Sequence, residues 1–430
     1  MSYTVNSFTN WVSEFKSWES LRTWLTSAAG GSLRVVEPKE GDYAIVRYVK
    51  GQSNFDQPHV RWCRSVVVQK STRLPVCVAP PKADELQEDS VNEADVAEEF
   101  VDGTMVNVFA TTGSEPQLAT RSRLGAKAKF YSDGLSFEEM FQEAMAANGV
   151  ASMADVLPQF PEAVASFTST VLQHPRNRIV GKVEKPSFFI VHQGTVYMDG
   201  SVKINEDAGD FRCETSAEGD AAGFFEIQGY TLEAVRAAKT VKDWVAKQSQ
   251  ERGHNWQGVV LKDGAGRRWR VRSDIYETVR RIRGNESTPA ERFARLRKTR
   301  TVDNYLVFYP EDRDAFYALE GRLRKNTRNL SHFYNDVFRS RTTPYHELPW
   351  PYKHHVSVLH NLFKDILRAQ GKKVDLEQVI RYVNGLNHED LVNMLKEHKL
   401  DLVKSEKREV KVVKPGDSAA AEEAPVAAAD

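Results

Sequence analysis

WQGVVLKDGAGRRWRVRSDIYETVRRIRG, residues 256–284, is the stretch on which the fold turns. Gly258 to Lys262 and Arg268 to Arg272 are strand-like runs. Gly264-Ala265-Gly266 between them reads as a hairpin turn and not as a phosphate loop, because the G-x-x-x-x-G-K spacing is absent. Arg280, Arg281 and Arg283 follow at a spacing that brings them near one another on a helix. Strands run up to this point, and beyond about residue 287 they stop.

Toward the N-terminus the texture is β-rich with helices between. Leu33 to Val36, Tyr43 to Tyr48, Cys63 to Gln69, Pro75 to Ala79, Thr104 to Thr111 and Gln117 to Thr120 are strand-like, as are 166–173, 178–183, 187–192 and 195–198. A helix is expected around Phe137, Met140, Phe141 and Met145, and another over 231–247. The first thirty residues read as one amphipathic helix, with Phe8, Trp11, Val12, Phe15, Trp18, Leu21, Trp24 and Leu25 on one stripe and Gly30-Gly31 as its stop. Toward the C-terminus the period is helical throughout. Phe316 to Val337, Val358 to Leu367, Leu376 to Val383 and an Asn387-capped segment through Leu395 give successive helices. The fold class is therefore α+β, with an all-helical second domain. The expected organisation is a helix over 1–32, an α+β domain over 33–286, a helical domain over 287–400 and a low-complexity tail over 401–430.

Charge patterning sharpens the functional question. The chain has 59 Lys and Arg against 59 Asp and Glu, which excludes a histone-like cation but not a local basic groove. Residues 84–99 hold eight acids and no base, and read as a solvated loop. Residues 264–300 hold twelve bases and four acids, and eleven of the twelve are arginine, the better bidentate ligand for phosphate. An anionic partner such as an RNA backbone is the expectation. Cys63, Cys77 and Cys213 show no C-x-x-C spacing, which argues against a disulfide scaffold or zinc ribbon. His346, His354 and His355 are read as surface or packing histidines, since Pro349 interrupts the helix a metal motif needs. MSYTVNSFTN lacks the features of a secretory signal, no run reaches the roughly 18 apolar residues of a membrane span, and mean hydropathy is −0.51. A cytoplasmic protein without membrane contact is expected.

Several separated segments jointly resemble the phage-type ATP-dependent RNA ligases. They are RWCRSVVVQKSTRLPVCVAPPKA (61–83), EEFVDGTMVNVF (98–109), QLATRSRLGAKAKF (117–130), LQHPRNRIV (172–180), WQGVVLK (256–262) and RWRVRS (268–273), in the family's order. The resemblance implies a nucleotidyltransferase domain of packed antiparallel sheets and helices with one nucleotide pocket. In that family a K-x-D-G lysine attacks the α-phosphate of ATP to give a lysine–AMP phosphoramidate. AMP then passes to an RNA 5′-phosphate, with Mg²⁺ held by acidic groups. It also implies an origin in a large DNA virus, and so the host cytoplasm or virion.

The sequence departs from the family at its reacting positions. Phe100 stands where the lysine belongs, Val171 where the third motif carries glutamate, and Gln257 where the fourth begins with glutamate. Arg270 and Arg272 stand for the two lysines of the fifth motif. Phenylalanine cannot form a phosphoramidate, and valine cannot ligate a metal. The retained groups are those of binding: Asp102, Gly103, Arg121, Lys262, Arg270 and Arg272 for a nucleotide such as ATP, and Lys82, Arg280, Arg281 and Arg283 for RNA. The expected protein is a catalytically degenerate ligase relative, a pseudoenzyme with no catalytic residue and no metal site, whose partners are RNA and a nucleotide. Two alternatives stand beside it. One is an active ligase that uses Mg²⁺ and Lys82, Lys127 or Lys129 as a displaced nucleophile. The other is a scaffold that retains only the fold.

Overall fold

A computed structural model describes residues 1–86, 94–129, 134–159, 162–206 and 227–396. They divide into two compact units, one ending at Ser287 and one beginning at Thr288. Glu88, Asp89 and Glu93 of the acidic run, Cys213 and the 401–430 tail lie outside the described residues.

The first unit is α+β, and its described residues form three sheets. Six strands pair in the order β1 (Ser2–Val5), β12 (Val202–Asn205), β11 (Ser187–Val196), β10 (Ala165–Gln173), β8 (Thr104–Thr111) and β9 (Gln117–Thr120). Four pair in the order β2 (Arg34–Val36), β3 (Tyr43–Arg47), β4 (Val66–Gln69) and β5 (Pro75–Val78). Five pair in the order β13 (Gly229–Tyr230), β7 (Val96–Glu99), β14 (Gly258–Lys262), β15 (Arg268–Arg272) and β6 (Asp84–Glu85). All pairings are antiparallel except β15 with β6.

Period-2 patterning sorts these strands into faces. On β8, Val106 and Val108 pack with Met140 and Phe141 of α3 (Phe137–Ala147), whereas Phe109 packs with the core over the four-stranded sheet. On β14 and β15, Val259, Leu261, Trp269 and Val271 join Trp244 of α5 (Val241–Arg252) and Val235 of α4 (Leu232–Arg236). The opposite face of that hairpin carries Val260, Arg268, Arg270 and Arg272. α6 (Asp274–Arg283) follows directly, capped by the Ser273 hydroxyl, which accepts from Tyr276 N at 3.2 Å.

Three expectations are corrected. The single N-terminal helix is instead β1, α1 (Thr9–Ser13) and α2 (Trp18–Thr26). Ser17 is extended and caps α2 through Ser20, so the stripe is interrupted there, while Phe8, Trp11, Leu21 and Leu25 still share one core. The acidic run is not simply a solvated loop, because its ends are β6 and β7: Ala97 is core, and Glu98 meets Lys262. Residues 178–183 are not a strand, because the Val180 and Gly181 amides are committed to Asp102.

Among the described residues the second unit is all helical: α7 (Pro289–Thr299), α8 (Val302–Phe308), α9 (Arg313–Phe338), α10 (Trp350–Leu362), α11 (Leu376–Asn384) and α12 (His388–Met394). The Thr288 capping box with Glu291 and Pro289 at the first turn start α7. Arg292 of α7 is buried against the Tyr305 hydroxyl at 3.0 Å and Asp312 at 3.2 Å, and Arg297 pairs with Glu320 at 3.0 Å. The basic block of the sequence thus divides between two units, and part of it is internal to each. Asn387 caps α12 as expected, accepting from Asp390 N at 2.9 Å. Among the described residues no helix is long and apolar enough to cross a membrane.

Candidate functional site

The loop Phe100-Val101-Asp102-Gly103 carries the chain from β7 in one sheet to β8 in another. Its geometry is fixed from both sides. Phe100 N donates to Gly258 O at 2.9 Å. Asp102 Oδ2 accepts from the Val180 and Gly181 amides, each at 3.0 Å, and Oδ1 accepts from the Tyr276 hydroxyl at 2.7 Å. Burial and the Asp102 charge raise the Tyr276 phenol well above its ordinary range. Asn177 donates to Thr104 Oγ1 at 2.9 Å, and Gln173 to Asp102 O at 2.8 Å. The P-x-N-R-I-V segment is therefore a collar around this loop. Gly103 lies so close to β10 that a Cβ there would sit 2.5 Å from Leu172 O.

Beside the loop is a cavity of about 370 Å³. One wall is β7, β14 and β15, contributing Glu98, Glu99, Val260, Arg268, Arg270 and Arg272. Met105, Val171 and Val191 come from the six-stranded sheet, and Tyr276 and Arg280 from α6. Tyr48, Arg64, Lys82 and Arg121 close it.

Phe100 and Val171 both line the cavity, and the Arg272 guanidinium lies 5.2 Å from the Phe100 ring centroid. Gln257 is also in the lining; its amide donates to Val101 O at 3.3 Å and accepts from Arg272 Nε at 3.1 Å. Arg272 further pairs with Glu277 at 2.9 Å, and burial, with Arg280 nearby, lowers its pKa.

Lys82, Phe100, Asp102, Gly103, Arg121, Val171, Gln257, Arg270, Arg272 and Arg280 are thus brought together. The remaining sequence candidates are elsewhere. Lys262 is 1% exposed and bonded to Glu98 and to Glu206, the latter at 2.8 Å. Arg281 is exposed, and Arg283 is buried and donates to Gly284 O at 3.2 Å. Neither Lys127 nor Lys129 is in the lining, and Lys82 pairs with Asp84 at 3.2 Å.

Two arginines of the lining were not singled out from the sequence. Arg268 was findable, since the alternation R-W-R-V-R puts residues 268, 270 and 272 on one face. It pairs with Glu206 at 2.8 Å, and Tyr3 donates to the same carboxylate at 2.6 Å. Burial opposes ionisation of Glu206, but Arg268 and Lys262 beside it hold its carboxyl far below the ordinary range. Arg64 lies in the 61–83 segment of the resemblance, but nothing in that segment distinguishes it from its neighbours. Burial, together with Arg121, Arg268 and Arg270, pulls its pKa down to about 10.

The charge inventory of the cavity is unequal. Seven basic residues line it against Glu98, Glu99 and Asp102. Lys82 pairs with Asp84, Arg268 with Glu206, and Arg272 and Arg280 share Glu277. Arg64, Arg121 and Arg270 have no ion-pair partner among the described residues; Arg121 instead lies over the Tyr48 ring at 5.2 Å.

No protein-family model matches the sequence, and no curated protein matches it. Two solved structures are similar at 15% identity and a TM-score of 0.31, both archaeal ATP-dependent RNA ligases. The form 1 structure aligns over 70% of this chain and 73% of its own. Form 2 aligns over 65% of this chain and 64% of its own.

Proposed function

We propose that this chain is an RNA-ligase-like protein that binds a phosphate-bearing ligand, an RNA or a nucleotide such as ATP, without forming a covalent nucleotide adduct. The observation that carries the reading is one cavity containing arginines without carboxylate partners and a phenyl ring at the position of the expected nucleophile. Arginine pairs with phosphate oxygens through a planar fork and stays protonated, so it binds without serving as a nucleophile or proton carrier. The motif aspartate, on this reading, is a structural acceptor that holds the loop open beside the cavity. The protein is then a pseudoenzyme of the ligase kind.

Incubation of the full-length protein with α-labelled ATP and Mg²⁺ tests this. No acid-labile labelled protein is the expected result, alongside salt-sensitive binding of RNA or ATP that weakens in Arg270→Ala/Arg272→Ala. A covalent adduct overturns it. The place of Lys82 in the lining favours the displaced-lysine alternative over Lys127 or Lys129. Label lost in Lys82→Ala would establish it.

A further inference from the structure

The ligase resemblance implies Mg²⁺, and the residues around the cavity do not fit it. Mg²⁺ takes hard oxygen ligands in near-octahedral geometry, with one or two carboxylates as its usual protein contribution. Val171 has no donor, and the Gln257 amide is committed to Val101 and Arg272. Glu98 is bonded to the buried Lys262. Glu99 faces Arg252 and the Tyr230 hydroxyl, each at 3.5 Å, and burial raises its pKa. Asp102 accepts from two amides and a phenol. Among the described residues no group of three or more His, Cys, Asp or Glu side chains is placed to hold a metal ion.

A phosphorylated ligand still has to be neutralised when it leaves water, because an unpaired buried anion is strongly disfavoured. Here the counter-charge comes from the protein itself. Arg64, Arg121 and Arg270 supply three guanidinium groups without ion partners among the described residues, on three different chain segments around one cavity. That number approaches the charge of a triphosphate, and a cavity of about 370 Å³ is large enough for a small ligand. An arriving anion would also relieve the mutual repulsion that, with burial, depresses the Arg64 guanidinium.

We propose that the cavity takes a small polyphosphate, of the nucleoside di- or triphosphate class, and neutralises it with Arg64, Arg121 and Arg270 in place of a divalent metal. The inference rests on the binding reading above and deepens it: the ligand enters as the metal-free anion. Free Mg²⁺ competes with the arginines for the same oxygens and does not assist them.

Titration calorimetry on the full-length protein tests this, with ATP and inorganic tripolyphosphate as probes, each in EDTA and in excess MgCl₂. Tighter binding in EDTA than in excess Mg²⁺ is expected with at least one probe, and the ratio between probes tells the nucleotide from free polyphosphate as the source. Arg64→Gln and Arg270→Gln should each weaken it by about tenfold or more, as expected for lost charge-assisted hydrogen bonds. Arg64→Lys and Arg270→Lys keep the charge and should restore part of the loss, which separates binding from folding. Binding that appears only with Mg²⁺ overturns the inference and leaves the binding reading standing. No binding of either probe in either buffer also overturns the inference, and the binding reading is then decided by the RNA titration alone.

Discussion

Asp102 shows how a motif residue can keep its identity while its work is structural. Its carboxylate ties the collar at Val180 and Gly181 to the α6 phenol of Tyr276, so three segments meet on one side chain. Hydrogen bonds to an ionised acceptor are each worth more than neutral ones, and removing the acceptor leaves two amides and a hydroxyl unsatisfied. Asp102→Ala should therefore lower stability by about 3 kcal/mol, with Tyr276→Phe losing only about 1 kcal/mol. Urea denaturation followed by tryptophan fluorescence measures both, and equal small losses would show that Asp102 is not the hub. The D-G pair was legible in the sequence as a site feature, but not its partners, because Tyr276 lies 174 residues away. Arg64 was hidden for the same reason. R-W-C-R-S belongs to a segment of the resemblance, but which of its residues faces the cavity is set only when distant strands enclose it. Lys262 was drawn to the nucleotide by its motif, yet lies within the Glu98 and Glu206 cluster.

The hairpin of β14 and β15 shows which information the chain carries at the scale of an element. Alternation in R-W-R-V-R sets that strand and its two faces, while G-V-V-L-K is a short apolar run buried throughout, and the limits of both match the expected 258–262 and 268–272. Where hydrogen bonding and not periodicity decides, the pattern misleads: R-I-V-G-K-V reads as a strand, yet two of its amides point at Asp102. Gly258 joins the two kinds of control. Its φ is +134°, and a Cβ on it would lie 2.1 Å from Val271 O, so no side chain fits without parting the strands. Because Gln257 and Arg272 bracket this point, Gly258→Ala should both destabilise the protein, by about 2 kcal/mol or more, and impair ligand binding at the cavity. Differential scanning calorimetry with a binding titration checks the pair. An unchanged melting temperature would mean that the hairpin tolerates a residue the geometry forbids.

At the scale of the molecule, the α+β unit is joined across its sheets by buried polar groups as well as by apolar packing. His192 of β11 donates through Nε2 to Val78 O of β5 at 2.8 Å, linking the six- and four-stranded sheets. Burial, with Arg268 and Lys262 nearby and only partly offset by Glu206, pushes its pKa down to about 3. Such a group makes stability depend on acid. Above its unfolded value of about 6.5, His192 is neutral in both states and contributes no slope. Below it, the unfolded chain binds a proton that the folded one refuses, so stability falls as pH falls, down to the folded pKa. Between pH 7 and pH 5 this amounts to about 2 kcal/mol. His59 and His254, whose pKa values are also lowered by burial, add to the same trend, so the total slope alone does not assign it. The difference between wild type and His192→Gln does, because glutamine can keep the donor to Val78 O and cannot titrate. Urea unfolding at pH 7 and pH 5 should show the variant losing about 2 kcal/mol less than wild type over that interval. Parallel losses in the two proteins would mean that His192 takes up its proton in the folded state and that the sheet junction opens to solvent.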